Sequence, residues 1–344
     1  MSIDEIDFVV SWVNGNDPRL NQLRLRYWQE QEQPIYPPSH NPPATQYANN
    51  NEIIYCLASI LRNAKFVRRI HVITDQQKPP LEALLDFGFN ETELAKISIV
   101  DHTLIFGNLI DLAPTFNSLS IESLIHRTPG LADHFVYMND DFFILKETSP
   151  SDYFWAPKTP VIHAQFRPYS RTYHSIKQKL LDAQIRKKRV RWSFVDGCIS
   201  AAIMSGLRFR YLQLEHSPLP MYRPILQDFF TANPLLLEEN IRHRFRHHRQ
   251  FLPQALASCL SFQCGSLKVK SSGNSVCYLK SNTLAQFNSQ NQSTQSKKNT
   301  GHMPRAIKTS GETQFLCVQN LDQVNELERN TLLKFLHAAL TQAS

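Results

Sequence analysis

Long uninterrupted runs of apolar residues are missing from this sequence. A helix that crosses a bilayer needs about 20 apolar residues in succession, and no stretch of the 344 residues approaches that length. The first residues, MSIDEIDFVVSWV, also carry acids where a signal peptide carries basic residues. We therefore expect a cytoplasmic protein, either soluble or attached peripherally to the inner face of the membrane.

Closely spaced cysteine pairs are scarce as well. Only Cys259 and Cys264 lie near each other, with four residues between them, and the remaining cysteines are scattered. A structural zinc site would need a second close pair. We expect reduced, mostly buried thiols, as is usual in the cytoplasm.

The composition excludes wholesale disorder, because hydrophobic residues make up 42% of the chain. The formal net charge of +7 suits nucleic acid, anionic lipid or a phosphate-bearing substrate, and charge alone does not choose among them. The stretch RKKRVR (186–191) has only Trp192 as an aromatic neighbour, which argues against a stacking platform for nucleic acid. We interpret it as a surface patch for an anionic polymer or lipid.

Strand-like apolar runs alternate with helical patterns over the first 150 residues. Strands are predicted at IDFVVSWV (6–13), RRIHVITDQ (68–76), KISIVDH (96–102) and HFVYMNDDFFIL (134–145). Helices are predicted at NEIIYCLASILRNA (51–64), LEALLDFGF (81–89) and FNSLSIESLIHRT (116–128). This alternation predicts an α/β fold with a mainly parallel, Rossmann-like sheet flanked by helices, followed by a helical second part.

Polar residues follow each predicted strand. They occur at residues 14–17, at Asp75, at Asp101 with His102, and at residues 139–141. Ligands of open parallel sheets bind beyond the carboxyl ends of the strands. The sequence therefore predicts a functional site at this edge.

The adjacent acids Asp140 and Asp141 are the most informative of these residues. Paired carboxylates suit Mg²⁺, or Mn²⁺, which completes its coordination with water and substrate phosphate. Such an ion would neutralise the diphosphate of a nucleotide. A structural alternative stays open, in which one acid caps the next segment and the other is solvated.

Other candidates depend on single motifs. The turn WVNGNDP contains Gly15, which would let backbone N–H groups approach a ligand, although Asn-Gly is also common in plain turns. His216 precedes Ser-Pro in a predicted loop and could accept a proton, or be one more surface histidine. RHRFRHHR (242–249) suits phosphate binding, and we expect Arg244 among the substrate-binding residues; a solvated basic helix face is the alternative.

The chain divides into four predicted regions. Residues 1–160 form the α/β core that binds the nucleotide sugar, and residues 161–280 form a helical, basic region that completes the active site. Residues 281–311 are polar and poor in apolar residues, which is typical of a flexible loop. Residues 312–344 are expected to add a strand, FLCVQNLD, and a closing helix that pack back on the core.

Taken together, these motifs resemble the Stealth proteins, which are sugar-1-phosphate transferases of capsule synthesis and of lysosomal enzyme tagging. IDFVVSWVNGNDP is similar to the first conserved region, and the stretch from YANNNEIIYCLASIL through PTFNSLSIES to NDDFFI is similar to the second. EHSPLPMYRPILQDF with HRFRHH resembles the third, and FLCVQNLD the fourth. The blocks occur in order and span most of the chain.

The resemblance implies a GT-A-like fold and a UDP-sugar donor, either a UDP-hexose or a UDP-N-acetylhexosamine. A hydroxyl group of an anionic capsular polysaccharide would attack the phosphorus next to the sugar, UMP would leave, and a phosphodiester would form. Nucleic acid is not an expected partner.

The resemblance also implies residue roles. Asp140 and Asp141 would hold the metal, His216 would match the catalytic histidine, and Arg246 the phosphate-binding arginine. Asp17 would join the catalytic group. Substrate-binding positions would be Trp12, Asn14 and Gly15 for the nucleotide, and Asn117 and Glu122 for the donor sugar.

This chain departs from the family pattern at a few positions. Asn49 stands where the family often has Asp, and Ala58 where an Arg is usual. The acid that usually follows the arginine of the third region is absent from RHHRQ. None of these changes affects the predicted metal, base or phosphate residues.

Two other functions remain to be distinguished. A metal-dependent glycosyltransferase would use the same fold but release UDP instead of UMP. A nucleic-acid-binding protein would show steeply salt-dependent binding and no need for a sugar nucleotide.

Overall fold

A computed structural model describes residues 5–30, 47–183, 193–271, 273–280 and 312–341. The basic stretch at 186–191 and the predicted loop at 281–311 lie outside the described residues. None of the helices in the described ranges is long and apolar enough to cross a membrane.

A central sheet of five strands organises the molecule. Its strands lie in the order β3-β2-β1-β4-β9, and the first four are parallel, whereas β9 runs antiparallel to β4. The bounds are β1 (Ile6–Ser11), β2 (Ile70–Thr74), β3 (Ile97–Asp101), β4 (His134–Asn139) and β9 (Leu219–Tyr222). The predicted α/β fold with a mainly parallel sheet is confirmed.

The remaining strands form two smaller sheets. β7 pairs with β6, β8 and β10, and β12 lies between β11 and β5. Their bounds are β5 (Phe142–Ile144), β6 (Phe154–Ala156), β7 (Thr159–Pro168), β8 (Arg210–Leu214), β10 (Lys268–Lys270), β11 (Val276–Lys280) and β12 (Phe315–Gln319). The predicted last strand is confirmed. Residues 161–280, predicted to be helical, therefore also supply strands, and one of these, β9, enters the central sheet.

The described helices cover both faces of the central sheet. They are α1 (Pro18–Glu30), α2 (Glu52–Asn63), α3 (Glu91–Leu94), α4 (His102–Phe106), α5 (Ser118–Leu124), α6 (Pro150–Tyr153), α7 (Arg171–Asp182), α8 (Phe194–Met204), α9 (Arg223–Ala232), α10 (Pro234–Ile241), α11 (Pro253–Gln263) and α12 (Glu326–Thr341). The predicted helix at 81–89 is a 3₁₀ helix, Leu81–Phe87, which ends at Gly88 with φ of 82°.

Successive residues of β1 face two separate apolar cores. Phe8 and Val10 pack with α2 and α12, whereas Val9 packs on the other face with residues of α5, α8 and α11. Side chains alternate across a strand, and both faces of this strand are buried. This explains why the strand is apolar throughout instead of alternating with polar residues.

One predicted strand is two strands. HFVYMNDDFFIL was predicted as a single strand, but β4 ends at Asn139 in the central sheet and β5 begins at Phe142 in the sheet that contains β12. Asp140 and Asp141 lie at the break. The chain leaves the central sheet there because β5 pairs with β12, which is more than 170 residues away in the sequence.

A buried carboxylate joins strands at the opposite edge. Asp7 is 0% exposed and accepts hydrogen bonds from Arg68 Nε at 2.9 Å, from Ala132 N at 2.8 Å and from His71 Nε2 at 3.2 Å. Burial raises the pKa of Asp7, but these hydrogen bonds outweigh it and hold the pKa at about 2.

Candidate active site

The Asp140–Asp141 pair lies at the carboxyl end of β4, as predicted. The carbonyl of Asp141 accepts a hydrogen bond from Val318 N at 3.0 Å, which connects the pair to β12. Asp141 Oδ1 is buried and has no hydrogen-bond partner among the described residues. A buried carboxylate oxygen without a partner is costly, and such an oxygen could bind a cation.

The electrostatics of the pair favour a cation. Burial raises the pKa of Asp140 well above its usual range, and the charges of Asp141 and Glu52 raise it further. Burial and Glu52 likewise raise the pKa of Asp141 to about 7. In the described ranges, no group of three or more His, Cys, Asp or Glu side chains could hold a metal ion. Two carboxylates alone could hold an ion such as Mg²⁺, which takes one or two carboxylates and fills its other positions with water and phosphate.

His216 lies in the turn between β8 and β9, beside Phe142, the residue that follows the acidic pair. Its ring stacks on Tyr278 with centroids 4.2 Å apart, and Phe142, the residue after Asp141, presents its edge at 6.5 Å. Phe194 closes another side at 5.4 Å. Burial, assisted by the charge of Lys280, lowers the pKa of His216 to about 4. At neutral pH the imidazole is uncharged and can accept a proton.

A hydrogen-bond network connects Glu122 to the end of β4. Tyr137 Oη lies 3.1 Å from Glu122 Oε1, 2.8 Å from Asn139 Oδ1 and 2.7 Å from Ser11 Oγ. Glu122 is only 5% exposed, and burial raises its pKa. Sequence reasoning missed Tyr137 and Ser11, whose only signal is a polar group within an otherwise apolar strand.

Arg246 approaches the same network from another part of the chain. Its Nη2 donates to Ser118 Oγ at 3.1 Å, and its charge lowers the pKa of Glu122. The side chain is half-buried. The structure therefore brings Arg246 and Glu122 together and connects them, through Tyr137, to the strand end that carries the acidic pair.

The loop after β1 is held by Gln77, which sequence reasoning missed. Gln77 Oε1 accepts from Asn14 N at 2.8 Å, and its Nε2 donates to the carbonyl of Asn14 at 3.0 Å. Asn49 Nδ2 donates to Asn14 Oδ1 at 3.2 Å. An aspartate, which the family often has in place of Asn49, could not donate this hydrogen bond.

Asp17 stabilises this loop. Its Oδ1 accepts from the backbone N–H groups of Arg19 at 2.8 Å and Leu20 at 3.2 Å, and its Oδ2 accepts from Gln77. The hydrogen bonds from Gln77 and from the first turn of α1 lower the pKa of Asp17. These are the contacts of a helix N-cap, and the catalytic role of Asp17 stays a prediction.

Trp12 and Gly15 are held closely by the protein. Trp12 is 5% exposed within the apolar core, and its Nε1 has no hydrogen-bond partner among the described residues. A Cβ atom on Gly15 would lie 1.7 Å from the carbonyl oxygen of Tyr47, so the chain's own backbone requires the glycine. The nucleotide-binding roles of these two residues stay predictions.

Asn117 and Arg244 connect protein segments to each other. Asn117 is 0% exposed, and its Nδ2 donates to the carbonyl of His243 and to Gln250 Oε1, each at 2.9 Å. Arg244 Nη1 donates to the carbonyl of Pro114 at 2.6 Å, and its guanidinium lies 4.4 Å from the centre of the Tyr27 ring. Both residues therefore connect segments of the protein, and their substrate-binding roles stay predictions.

A family profile matches this chain. The profile of Stealth protein conserved region 2 matches residues 46–162, which include α2, β2, β3, α5 and the acidic pair.

Several bacterial polysaccharide phosphotransferases are similar in sequence to this chain. The receptor polysaccharide phosphotransferase WefC of Streptococcus oralis is 33% identical over 262 residues, which cover 71% of this chain and 74% of that protein. The exopolysaccharide phosphotransferase cps2G of Lactiplantibacillus plantarum is 25% identical over 354 residues, covering 97% and 92%. Other relatives are longer: the chain spans 23% of the exopolysaccharide phosphotransferase SCO6023 of Streptomyces coelicolor, at 37% identity over 149 residues.

Two solved structures align with most of this chain but have low sequence identity and low TM-scores. The galactosyltransferase LgtC, in complex with donor and acceptor sugar analogs, has a TM-score of 0.41 and 9% identity, covering 98% of this chain and 97% of that chain. Mouse xyloside xylosyltransferase 1 has a TM-score of 0.36 and 11% identity, covering 91% and 97%. TM-scores this low do not indicate which reaction this chain catalyses.

Proposed function

Because this chain belongs to the Stealth family of polysaccharide phosphotransferases, we propose that it transfers a sugar 1-phosphate from a UDP-sugar to a hydroxyl group of a growing polysaccharide. The donor is a UDP-hexose or a UDP-N-acetylhexosamine. The acceptor oxygen forms a bond to the phosphorus next to the sugar, and the bond from that phosphorus to the oxygen of UMP breaks. UMP takes the electron pair, the acceptor loses its proton, and the product is a phosphodiester.

The observation that carries this proposal is an uncharged histidine beside the residue that follows the paired carboxylates. Asp141 precedes Phe142, whose ring contacts the ring of His216 at 6.5 Å. Phosphoryl transfer depends on positioning and on neutralising charge, with a base for the attacking hydroxyl. This edge supplies groups for both tasks.

The acidic pair would hold Mg²⁺ or Mn²⁺ together with the diphosphate of the donor. The unpartnered Oδ1 of Asp141 and the raised pKa values of both carboxyls support this assignment. When bound, the cation would neutralise charge on the diphosphate and ease the departure of UMP.

His216 would act as the base. Burial keeps its imidazole uncharged at neutral pH, so a ring nitrogen is free of a proton and can receive the one that the acceptor hydroxyl loses. The aromatic rings around it restrict its orientation, which favours proton transfer in one direction.

Arg246 would bind a phosphate oxygen of the donor. One of its terminal nitrogens donates to Ser118, and this contact orients the guanidinium while other N–H groups stay available for an anion. Glu122, whose pKa the charge of Arg246 lowers, would contact the donor sugar.

The charge of the whole chain is consistent with the proposed acceptor. A polymer with a phosphate at each linkage is anionic, and the formal net charge of the protein is +7. The same charge would suit peripheral contact with an anionic membrane surface on the cytoplasmic side, which we include in the proposal.

The test is to identify the released nucleotide. The purified protein is incubated with a panel of UDP-sugars, Mg²⁺ and short capsular oligosaccharides, and the products are separated by chromatography and examined by ³¹P NMR. We expect UMP and a new phosphodiester signal in equal amounts. Release of UDP without a phosphodiester would contradict the proposal and indicate the glycosyltransferase alternative.

Two variants test the roles at this edge. His216→Ala should lower kcat by about 100-fold or more while donor affinity stays near the wild-type value, because general base catalysis contributes about 10²–10⁴-fold. Asp140→Asn should weaken Mg²⁺-dependent donor binding itself. If both variants bound and reacted like the wild type, the assignment of this edge would be wrong.

A further inference from the structure

A cavity of about 500 Å³ lies away from the acidic pair, between the segment that precedes β4 and helices α9 and α10. Arg223, one of its lining residues, donates from its backbone N–H to the carbonyl of Asp133, the residue before β4. The acidic pair follows the other end of β4. A six-residue strand spans about 20 Å at about 3.3 Å per residue, so the cavity and the transfer edge are separate sites.

Polar side chains line part of this cavity. Thr128 is 4% exposed and His126 is 6% exposed, and burial lowers the pKa of His126 to about 4, so its ring is uncharged at neutral pH. Thr128 Oγ1 and His126 Nδ1 are themselves enclosed by protein. The polar groups that can meet a ligand in the open part of the cavity include those of Arg127, Gln227 and Thr231.

An arginine without a carboxylate partner lies beside these atoms. Arg127 Nη2 donates to the amide oxygen of Asn108 at 2.7 Å, and no ion pair to Arg127 is formed within the described part of the chain. Burial lowers the pKa of Arg127, so its charge is partly removed from water without compensation. Arg223, in contrast, is paired with Asp133. A phosphate group would supply the missing negative charge.

The other walls suit a sugar ring. Phe230 and Leu237 provide apolar surface, and Gln227, Thr231 and Glu238 bring polar groups to the rim. Sugar hydroxyl groups both donate and accept hydrogen bonds, and the C–H faces of a sugar pack on apolar groups. Glu238 is an acceptor for hydroxyl groups, and its position at the exposed rim separates its charge from the deeper part of the cavity.

We infer that this cavity binds a phosphate-bearing saccharide unit of the growing polymer, at a distance from the transfer edge. The inference rests on the proposed function for the nature of the polymer. Arg127 binds the phosphate, and Gln227 and Thr231 bind sugar hydroxyl groups. Only an acceptor that extends from one end of β4 to the other occupies both sites, so the cavity gives longer chains a second point of attachment.

The binding test uses the methyl diester of a hexose 1-phosphate as a probe, with UMP and Mg²⁺ present to occupy the transfer edge. We expect calorimetry to detect binding to the wild type and a loss of about tenfold or more in Arg127→Gln, because a charge-assisted contact is removed. Arg127→Lys should retain part of the affinity. Arg208→Gln, an exposed arginine outside the cavity, is the matched control and should bind like the wild type.

Thr231→Val separates a binding role from a structural one. The change removes an exposed hydroxyl group at the rim and keeps the shape, so the melting temperature should stay near the wild-type value, while the probe binds several-fold more weakly. A drop in stability without a change in binding would contradict the inference.

Loss of binding in the cavity should lower activity on long acceptors more than activity on short ones. In Arg127→Gln, the ratio of kcat/KM for long acceptors to kcat/KM for short ones should fall about tenfold, and in Arg208→Gln it should not change. The inference is overturned if the wild type does not bind the probe, if Arg127→Gln binds it equally well, or if an uncharged methyl hexoside binds as tightly. Release of UDP instead of UMP would overturn the proposed function, whereas these outcomes concern the cavity alone.

Discussion

The ring of Tyr278 stacks on His216, and removing it tests how burial sets the proton affinity of the imidazole. The two ring centroids are 4.2 Å apart. Burial is the main reason why the pKa of His216 lies at about 4 instead of 6.5, a difference of about 2.5 units or about 3.4 kcal/mol. Tyr278 is the nearest of the three aromatic rings around the imidazole. We therefore expect Tyr278→Ala to raise the pKa of His216 by about 1 unit, which is somewhat more than a third of the shift.

Burial favours the neutral form of His216 over the protonated form, and this determines how activity and stability change with pH. The native state favours the neutral imidazole, so at pH 5 about 90% of His216 is neutral in the wild type, against about half in a variant whose pKa is about 5. The activity of Tyr278→Ala at pH 5, relative to its own activity at pH 8, should therefore fall about twofold. The same linkage lowers the stability of the wild type as the pH falls from 6.5 towards 4, and the variant should lose less over that range.

The assay is an NMR titration of the His216 ring, assigned with His216→Gln, together with the pH dependence of kcat/KM. Tyr278→Phe is the matched control, because it keeps the stacked ring and loses only the hydroxyl group that hydrogen-bonds Gln319. Its His216 pKa should match the wild type. An unchanged pKa in Tyr278→Ala, or an equal rise in Tyr278→Phe, would refute the reasoning.

Three further predictions concern other parts of the molecule. Asp141→Asn should lower Mg²⁺-dependent UMP release by about 100-fold or more, and the exposed Asp86→Asn should not; activity retained in the first would contradict the metal assignment. Asn117→Ala should lower the urea-measured free energy of unfolding by about 2–3 kcal/mol, because buried partners lose their hydrogen bonds; weaker donor binding at unchanged stability would contradict its structural role. The lowered pKa of Asp7, about 2 against 3.8, is equivalent to about 2.4 kcal/mol, which is present above pH 3.8 and lost as the pH falls towards 2. Asp7→Asn should abolish that dependence in thermal melts, and a wild-type-like pH profile in the variant would show that another group causes it.

Local pattern was sufficient for most elements of the first 140 residues. Apolar runs such as that of β1 and the helical spacing in α2 are visible in the sequence because a side chain's position on a strand or helix depends only on its neighbours in the chain. The parallel sheet and its polar edge follow from the order of these elements. The acidic pair was found for the same reason, since charges at the end of a buried strand stand out locally.

The roles of individual site residues could not be found in this way. The motif containing Trp12, Gly15 and Asp17 was correctly located at the edge, but its residues turn out to pack, to admit the backbone of Tyr47 and to cap a helix. A polar residue that binds a ligand and one that binds the protein have the same local signature. Only the positions of its partners distinguish them.

The sequence by itself determined the α/β fold class, the polar edge of the sheet and the candidate acids, because each depends on periodicity or on neighbouring residues. Tertiary structure alone decided that β4 and β5 enter different sheets, that His216 lies between Tyr278 and Phe142, and that a second cavity forms beside Arg127. These arrangements depend on pairings between residues that are far apart in the chain, such as Phe142 with Cys317. Such pairings are selected by the burial of whole surfaces, which no short stretch of sequence specifies.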